Sequence, residues 1–599
     1  MIWPPAQLFV REQMDSLSGP IPMDTESAQL RLGQHKTLAR FACWGAVTAL
    51  GLLQAWAHRN SMNPDGISYL EIGRSGISGL HGLVNAYWSP LYPFLLSLTF
   101  RWFNPSLFWE FPAAHFLNFA IYLAGYGCFE LLIREFQLSR RIANESVEKK
   151  YLLSGEELYW SGAAFYVWAS RYWLGTALVS PDLLVAVIFC LATAMLLRIR
   201  RGDNGWFTFA LLGVILGLGY LAKAPMFLLG FVIVFAAYRL VHDSTPGLPR
   251  AAIALLLFLV IAAPFVTALS RSKHRFTFSD TSTISYAEYI NHVPLFVRWH
   301  GEDPGSGTPA HPTRRLLADP PLFEFATPVP GSYPPWYDPS YWYEGLRAHF
   351  SLKGELWAIF RAANEYLKMF SRSGVLWCVL IALIWVTRKG GDLDRSDHAW
   401  WPVLLPGLAA LAMYSLVHAE TRFVTGVGLS FVLWALSRVQ TATRVSSRSV
   451  FWAKLAIFLA PAIAIAWNVI TDLKLLSHPH PFAAWEAAEG LHAAGVPPGA
   501  KVVYIGTGLE ALWPHLAQVQ IIAEIPDPGW NRYVGLDGEA RAAVLQTFAG
   551  TGATAVVTRH PEVARSNSEW QRLADTDLFV LRLVRPEPSH APRASENYP

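Results

Sequence analysis

Trp88-Ser89-Pro90-Leu91-Tyr92-Pro93-Phe94-Leu95-Leu96-Ser97-Leu98-Thr99-Phe100-Arg101-Trp102-Phe103 is an apolar stretch of marginal length, and whether it crosses a membrane fixes the side on which everything after it lies. Around it, runs long enough to span, or nearly so, fall at roughly 40–57, 107–133, 157–175, 179–197, 205–221, 225–240, 251–269, 373–388, 400–418, 422–438 and 451–470. Several are near the short limit and need tilt or local thinning.

Loop charge decides the question, because Lys and Arg accumulate on the cytoplasmic side. Arg31, His35, Lys36 and Arg40 precede the first run. Arg134, Arg140, Arg141, Lys149 and Lys150 follow 107–133, Arg198, Arg200 and Arg201 follow 179–197, and Arg239 and Arg250 follow 225–240. Arg388, Lys389 and Arg395 come after 373–388, and Arg438, Arg444 and Arg448 after 422–438. All lie inside only if 88–103 does not cross. The expected fold is therefore an α-helical integral membrane protein with about eleven transmembrane helices, N-terminus in and C-terminus out. Segment 88–103 is expected as a re-entrant or juxtamembrane helix in the first external loop.

Composition agrees. Of 599 residues, 53% are hydrophobic and only 15% charged, against about 25% in ordinary soluble domains, and mean hydropathy is +0.27. A net charge of +4 is too weak to make nucleic acid a partner. Cys43, Cys128, Cys190 and Cys378 lie in apolar runs, where a thiol acts as a small hydrophobe, and they form no disulfide framework. The first 36 residues lack an apolar signal-peptide core, so the first run is expected as a retained anchor. The expected organisation is a cytoplasmic segment 1–39, a transmembrane domain 40–470 with external loops 58–106 and 270–372, and an external α/β domain 478–599. Within the last, Lys501–Gly506 and Ala553–Thr558 read as short buried strands. Gly506-Thr507-Gly508 lacks the third glycine of a nucleotide loop and reads as a plain strand-to-helix turn.

Candidate chemistry gathers at the outer face. The first external loop begins Asn63-Pro64-Asp65-Gly66-Ile67-Ser68-Tyr69-Leu70-Glu71-Ile72. In the local reading, Asp65 caps an interfacial helix whose Ile67, Leu70 and Ile72 face lipid. In the functional one, it is an acid that deprotonates an acceptor hydroxyl or holds a metal. Asp182 stands at the outer end of the fourth span and Lys223 at a tight outer hairpin. Arg271 follows the seventh span, Glu420 and Arg422 lie at another outer hairpin, and Arg171 is buried near the third span's outer end. Each cation alone is more often a snorkelling anchor, but a one-sided set suits an anionic lipid headgroup. The loop Tyr333-Pro334-Pro335-Trp336-Tyr337-Asp338-Pro339-Ser340-Tyr341-Trp342 offers aromatic faces for a sugar or for a membrane-interface belt.

Asp65-Gly66 with Tyr69, Trp88-Ser89-Pro90-Leu91-Tyr92-Pro93, Pro181-Asp182, Ala222-Lys223 and Glu420-Thr421-Arg422 together resemble GT-C superfamily polytopic glycosyltransferases. Bacterial relatives of protein O-mannosyltransferases and of the lipid A aminoarabinose transferase come nearest, over roughly residues 40–440. The resemblance implies an inverting membrane glycosyltransferase taking its sugar from polyprenyl phosphate to a cell-envelope glycan, lipid or protein. Its active site would face outward from the bacterial cytoplasmic (inner) membrane. Asp65 and Asp182 would be the catalytic aspartates. Lys223, Arg271, Arg422 and Tyr69 would bind the donor phosphate, and Trp88, Trp336, Trp342 and Glu420 would contact sugar or acceptor. Ser89 departs from the aminoarabinose transferases, which carry lysine before the proline opening this helix, so the phosphate contact must come from elsewhere. No cofactor is carried over. A divalent metal ion, were one used, has Asp65 and Asp182 as candidate ligands. The rival functions are a lipid-linked-sugar flippase, which would place charges at mid-membrane in repeated halves, and a non-catalytic envelope scaffold.

Overall fold

The computed structural model describes residues 25–583 except 145–150, 176, 242–246, 295–297, 303, 326, 372–373, 389–391, 394–399, 442–444 and 479–481. Lys149, Lys150, Lys389, Arg395 and Arg444 of the charge argument lie outside the described residues. The unit ending at Leu52 is most of one helix, α1 (Thr25–Ala57), whose Gln34–Ala57 stretch is long and apolar enough to cross a membrane.

In the second unit, from Leu53 onward, α2 (Pro64–Ser78) and α3 (Leu91–Phe103) form a helical pair. Thirteen residues at 1.5 Å rise give α3 about 20 Å, short of a hydrocarbon core of about 30 Å. Its buried face, Tyr92, Leu96 and Phe100, packs on α2, and Ser97 Oγ donates to the Gly73 carbonyl at 2.7 Å. Ile67, Leu70 and Ile72 are 7%, 0% and 1% exposed, so α2 turns these residues to protein rather than to lipid.

Next come α4 (Leu107–Asn144), α5 (Gly155–Ala169), α6 (Asp182–Arg200), α7 (Trp206–Ala222), α8 (Pro225–Val241) and α9 (Gly247–Ser272). After the second outer loop follow α12 (Val375–Arg388), α13 (Trp401–Ser415), α14 (Thr421–Arg438) and α15 (Ser447–Ser477). Every apolar run read from the sequence falls on one of these helices or on α1. Five helices, α1, α4, α6, α9 and α15, are individually long and apolar enough to cross, and α7, α8 and α13 are shorter apolar helices. This is a polytopic membrane protein. Central among its helices is α6, which packs against α4, α7 and α14. On α9 and α15, Leu256, Val260, Ile463 and Trp467 are exposed, as lipid-facing positions are.

The 270–372 segment is more ordered than an aromatic-rich loop suggests. It holds α10 (Thr281–Tyr289), β1 (Arg314–Leu317), β2 (Leu322–Glu324) and α11 (Leu352–Ser371). Helix α11 is amphipathic, leaving Leu352, Leu356, Trp357, Phe360 and Leu367 exposed, as a helix lying at a membrane surface does. β1 and β2 join a seven-stranded sheet with β3 (Lys501–Ile505), β4 (Gln520–Ile525), β5 (Ala555–Thr558), β6 (Gln571–Arg572) and β7 (Phe579–Arg582), in the order β1-β2-β4-β3-β5-β7-β6. Strands β4, β3 and β5 run parallel and are bounded by antiparallel pairs. Leu322 of β2 is fully buried in the core formed by Val503, Ile522, Val556 and Phe548. The sheet is therefore built from two distant stretches of chain, with α16 (Ala483–Ala493) and α17 (Gly538–Gly550) from the C-terminal one. Gly506, at φ +142°, is a plain exit from β3, and the Gly508 amide donates to Glu524.

Candidate active site

Four helix ends converge. Asp65 is the second residue of α2, Asp182 opens α6, Lys223 caps the C-terminal end of α7, and Arg422 is the second residue of α14. Carboxylates at helix N-termini lie in the favourable end of the helix dipole. Two details hold the acids together. Asn63 Oδ1 accepts from the Val179 amide at 3.0 Å, tying the start of α2 to the turn before α6. Gly66 lets that approach happen, since a Cβ there would stand 2.4 Å from Met62 Sδ and 3.0 Å from Val179 Cβ.

Arg422 is the hub. Its Nη1 lies 3.4 Å from both Asp65 Oδ2 and Asp182 Oδ2, and its Nε donates to Glu420 at 2.6 Å. Lys223 Nζ bonds Asp182 Oδ1 at 2.5 Å and sits 3.7 Å above the Phe423 ring. Ser180 Oγ donates to Asp182 at 3.0 Å. Asp182 is thus held by two cations and a hydroxyl, whereas Asp65 has only the longer contacts to Arg422. Burial, reinforced by the Asp182 charge and opposed by Arg422 and Lys223, raises the Asp65 carboxyl above the usual range. A carboxyl raised in this way is a better proton acceptor than an ordinary aspartate. Burial alone would also raise Glu420, but the His418 hydrogen bond and Arg422 outweigh it and hold the carboxyl at about 2. Tyr69, 5% exposed, is set edge-on to Trp88 and Tyr92. Burial, then the Asp65 and Asp182 charges, push its phenol far up and keep it neutral.

The structure brings Asp65, Asp182, Lys223, Arg422, Glu420 and Tyr69 together. Arg271 is not among them. It is exposed at the end of α9 and makes no ion pair among the described residues. Lys273, two residues on, turns inward to the Ser340 carbonyl at 2.9 Å. Trp342 is 4% exposed, and its indole N–H bonds the Pro334 carbonyl within the loop. Trp336 ties the loop down, because its carbonyl accepts from Ser68 Oγ and Trp88 Nε1 while its ring packs edge-on to Trp88. Arg171 is structural, paired with Asp472 of α15. Asp65 and Asp182 flank one guanidinium, and no three His, Cys, Asp or Glu side chains converge as a metal set among the described residues.

Among solved structures, the fold matches ArnT from Cupriavidus metallidurans in the apo state, with a TM-score of 0.52 and 12% identity over 92% of this chain and 99% of that one. It also matches ArnT from the same organism bound to undecaprenyl phosphate, with a TM-score of 0.53 and 10% identity over 91% and 98%. This chain shares the fold of these two structures. No family model and no curated protein matches the sequence.

Two further groups take their form only in the folded chain. His418 bonds Glu420 at 3.0 Å and stacks on Tyr289 with ring centroids 4.0 Å apart. Beside them, burial holds Glu288 at about 7, against a Tyr289 hydrogen bond and the His418 charge. The second group joins the GT-C core to the C-terminal sheet region. His515 places Nε2 2.8 Å from Glu110 and Nδ1 3.2 Å from Glu71, and Arg74 Nε donates to Glu110 at 2.8 Å. Burial would lower His515, but hydrogen bonds to Glu110 and Glu71 outweigh it and raise it to about 9. A folded value above the unfolded one, about 6.5, gives stability that is complete below about pH 6.5 and lost as pH rises through about 9, of order 3 kcal/mol. Thermal unfolding of the full chain in detergent should therefore shift to lower temperature between pH 6.5 and 9.5. His515→Gln should flatten that slope, and an unchanged slope would refute the assignment.

Proposed function

We propose that this protein is an eleven-span glycosyltransferase of the bacterial inner membrane, moving a sugar from a polyprenyl-phosphate donor to an external cell-envelope acceptor. The observation that carries the reading is the pairing of two unlike carboxylates on one guanidinium at converging helix ends, within a GT-C fold. The acceptor hydroxyl oxygen attacks the anomeric carbon while its proton passes to Asp65. The bond from that carbon to the phosphate oxygen breaks, and its electron pair leaves on the polyprenyl phosphate. Arg422 and Lys223 stabilise the developing charge, exchanging part of their contact with Asp182 for phosphate. Asp182 fixes both cations in place. Displacement from the face opposite the phosphate inverts the anomeric configuration. Tyr69 contributes a neutral hydroxyl donor, and Glu420 orients Arg422.

The direct test uses purified protein with polyprenyl-phosphate hexoses and pentoses, following release of polyprenyl phosphate. A preparation that neither binds the lipid phosphate nor releases it from any of these donors would overturn the reading. Sidedness is tested separately, in a variant with all four native cysteines replaced. Thr308→Cys and Ser568→Cys, both at exposed positions, should react with an impermeant thiol reagent in spheroplasts, and Ser447→Cys should not. Labelling of Ser447→Cys with protection of Ser568→Cys would reverse the topology.

A further inference from the structure

Away from the Asp65 cluster, a cavity of about 570 Å³ opens between α2, the start of α4 and the chain before β4, within the size range of small-ligand sites. Glu71, Arg74, Glu110, Ser332, His515 and Gln518 are among the residues lining it. The charges are mutually satisfied: Arg74 pairs with Glu110, and His515 bridges Glu110 and Glu71. An anion would have to break a pair whose glutamate side chain is fully buried, at the cost of leaving a buried charge alone. An apolar ligand would bury these polar groups without replacing their water.

What remains is hydrogen-bonding capacity that those pairs leave unspent. Glu71 Oε1 accepts from the Ser332 amide at 2.9 Å and meets His515, while Oε2 accepts no hydrogen bond among the described residues. Ser332 is 7% exposed, and its buried hydroxyl has no hydrogen-bond partner among the described residues. Gln518 carries an exposed amide on a backbone at φ +53°. An acceptor oxygen, a hydroxyl and an amide at one cavity suit vicinal hydroxyls, each of which both donates and accepts. Position matters as well. Glu71 and Arg74 stand on the same helix as Asp65, six and nine residues further on, so about 9 and 14 Å along its axis. A short oligosaccharide spans a distance of that order.

We propose that this cavity is a subsite for a neutral, polyhydroxylated segment of the acceptor, distal to the hydroxyl that is glycosylated. The proposal rests on the transferase reading above and narrows the acceptor to a glycan longer than one sugar. It is tested on the full-length protein in nanodiscs, by saturation-transfer NMR and calorimetry. The probes are neutral glucan, mannan, galactan and arabinan trisaccharides, with sulfated and amino-sugar trisaccharides as charged counterparts. At least one neutral trisaccharide should bind. Ser332→Leu and the exposed rim variant Ser106→Trp should each weaken it at least tenfold. Ser106→Trp lies outside the buried network, so a folding defect in Ser332→Leu does not blur the result. The subsite is refuted if no neutral trisaccharide binds, if a charged one binds more tightly, or if Ser106→Trp binds as wild type does. Polyprenyl-phosphate binding measured on the same preparation separates the two readings. Lipid binding without trisaccharide binding removes the subsite alone, and the reverse removes the transferase reading.

Discussion

Asp65→Asn is expected to lower sugar transfer by at least about a hundredfold while leaving donor binding near the wild-type value. Asparagine keeps the size of the side chain and a hydrogen-bonding oxygen, but it cannot take the acceptor's proton. General-base contributions are typically about 10²–10⁴-fold. The contacts from Arg422 to Asp65 are long, 3.4 and 3.5 Å, so little binding energy depends on this carboxylate. Asp182→Asn should behave differently. Asp182 is 3% exposed and neutralises both Lys223 and Arg422, so its loss leaves two cations poorly compensated and disturbs donor binding and stability together. Near wild-type transfer by Asp65→Asn, in a preparation that binds donor normally, would remove it as the base. Glu288, held at about 7, would then be the next carboxyl to test.

The second large effect is expected at Arg422. Arg422→Ala leaves Asp65, Asp182 and Glu420 without their shared cation and takes away a partner for the leaving phosphate. Removing one member of a buried pair typically costs about 3–5 kcal/mol, which here should appear as roughly a hundredfold or greater loss of donor affinity, with slower turnover. Arg422→Lys should recover only part of it, because an ammonium cannot reach Glu420 and both aspartates as a planar fork does. Calorimetry with polyprenyl phosphate and a single-turnover assay separate the two components. Unchanged donor affinity in Arg422→Ala would mean that the guanidinium organises the acids and does not hold phosphate.

The residues legible in the sequence share one property, a position at the end of a long apolar run. Asp65, Asp182, Lys223 and Arg422 are each fixed by a helix terminus, so sidedness alone brings them to one depth. Arg271 stands at such an end too, but it is exposed in the last turn of α9, and it is Lys273 that turns inward. An aromatic-rich stretch says even less about direction. Nothing in its composition distinguishes Trp342, whose indole bonds within the loop, from Trp336, which binds the loop to Ser68 and Trp88. The Glu71–His515–Glu110 group had no local signature, since its members are brought together across 444 and 405 positions. Strands β1 and β2 are too short to show a period, and only pairing with β4 makes β2 part of a sheet.

That pairing has a consequence for biogenesis. β2 joins β4, and Tyr333 bonds Glu524 from 191 positions away, so the outer layer cannot close while the ribosome is still making the intervening chain. Four apolar helices, α12 to α15, must enter the bilayer first. Throughout that interval, the nascent protein displays an unpaired strand edge and an uncovered Leu322. Strand edges left open in this way recruit other chains. A stall or premature stop anywhere between residues 325 and 520 would therefore yield a membrane-inserted, aggregation-prone fragment rather than a shortened, folded protein. Exchanging the C-terminal segment between relatives would succeed only if residues 314–324 travelled with it.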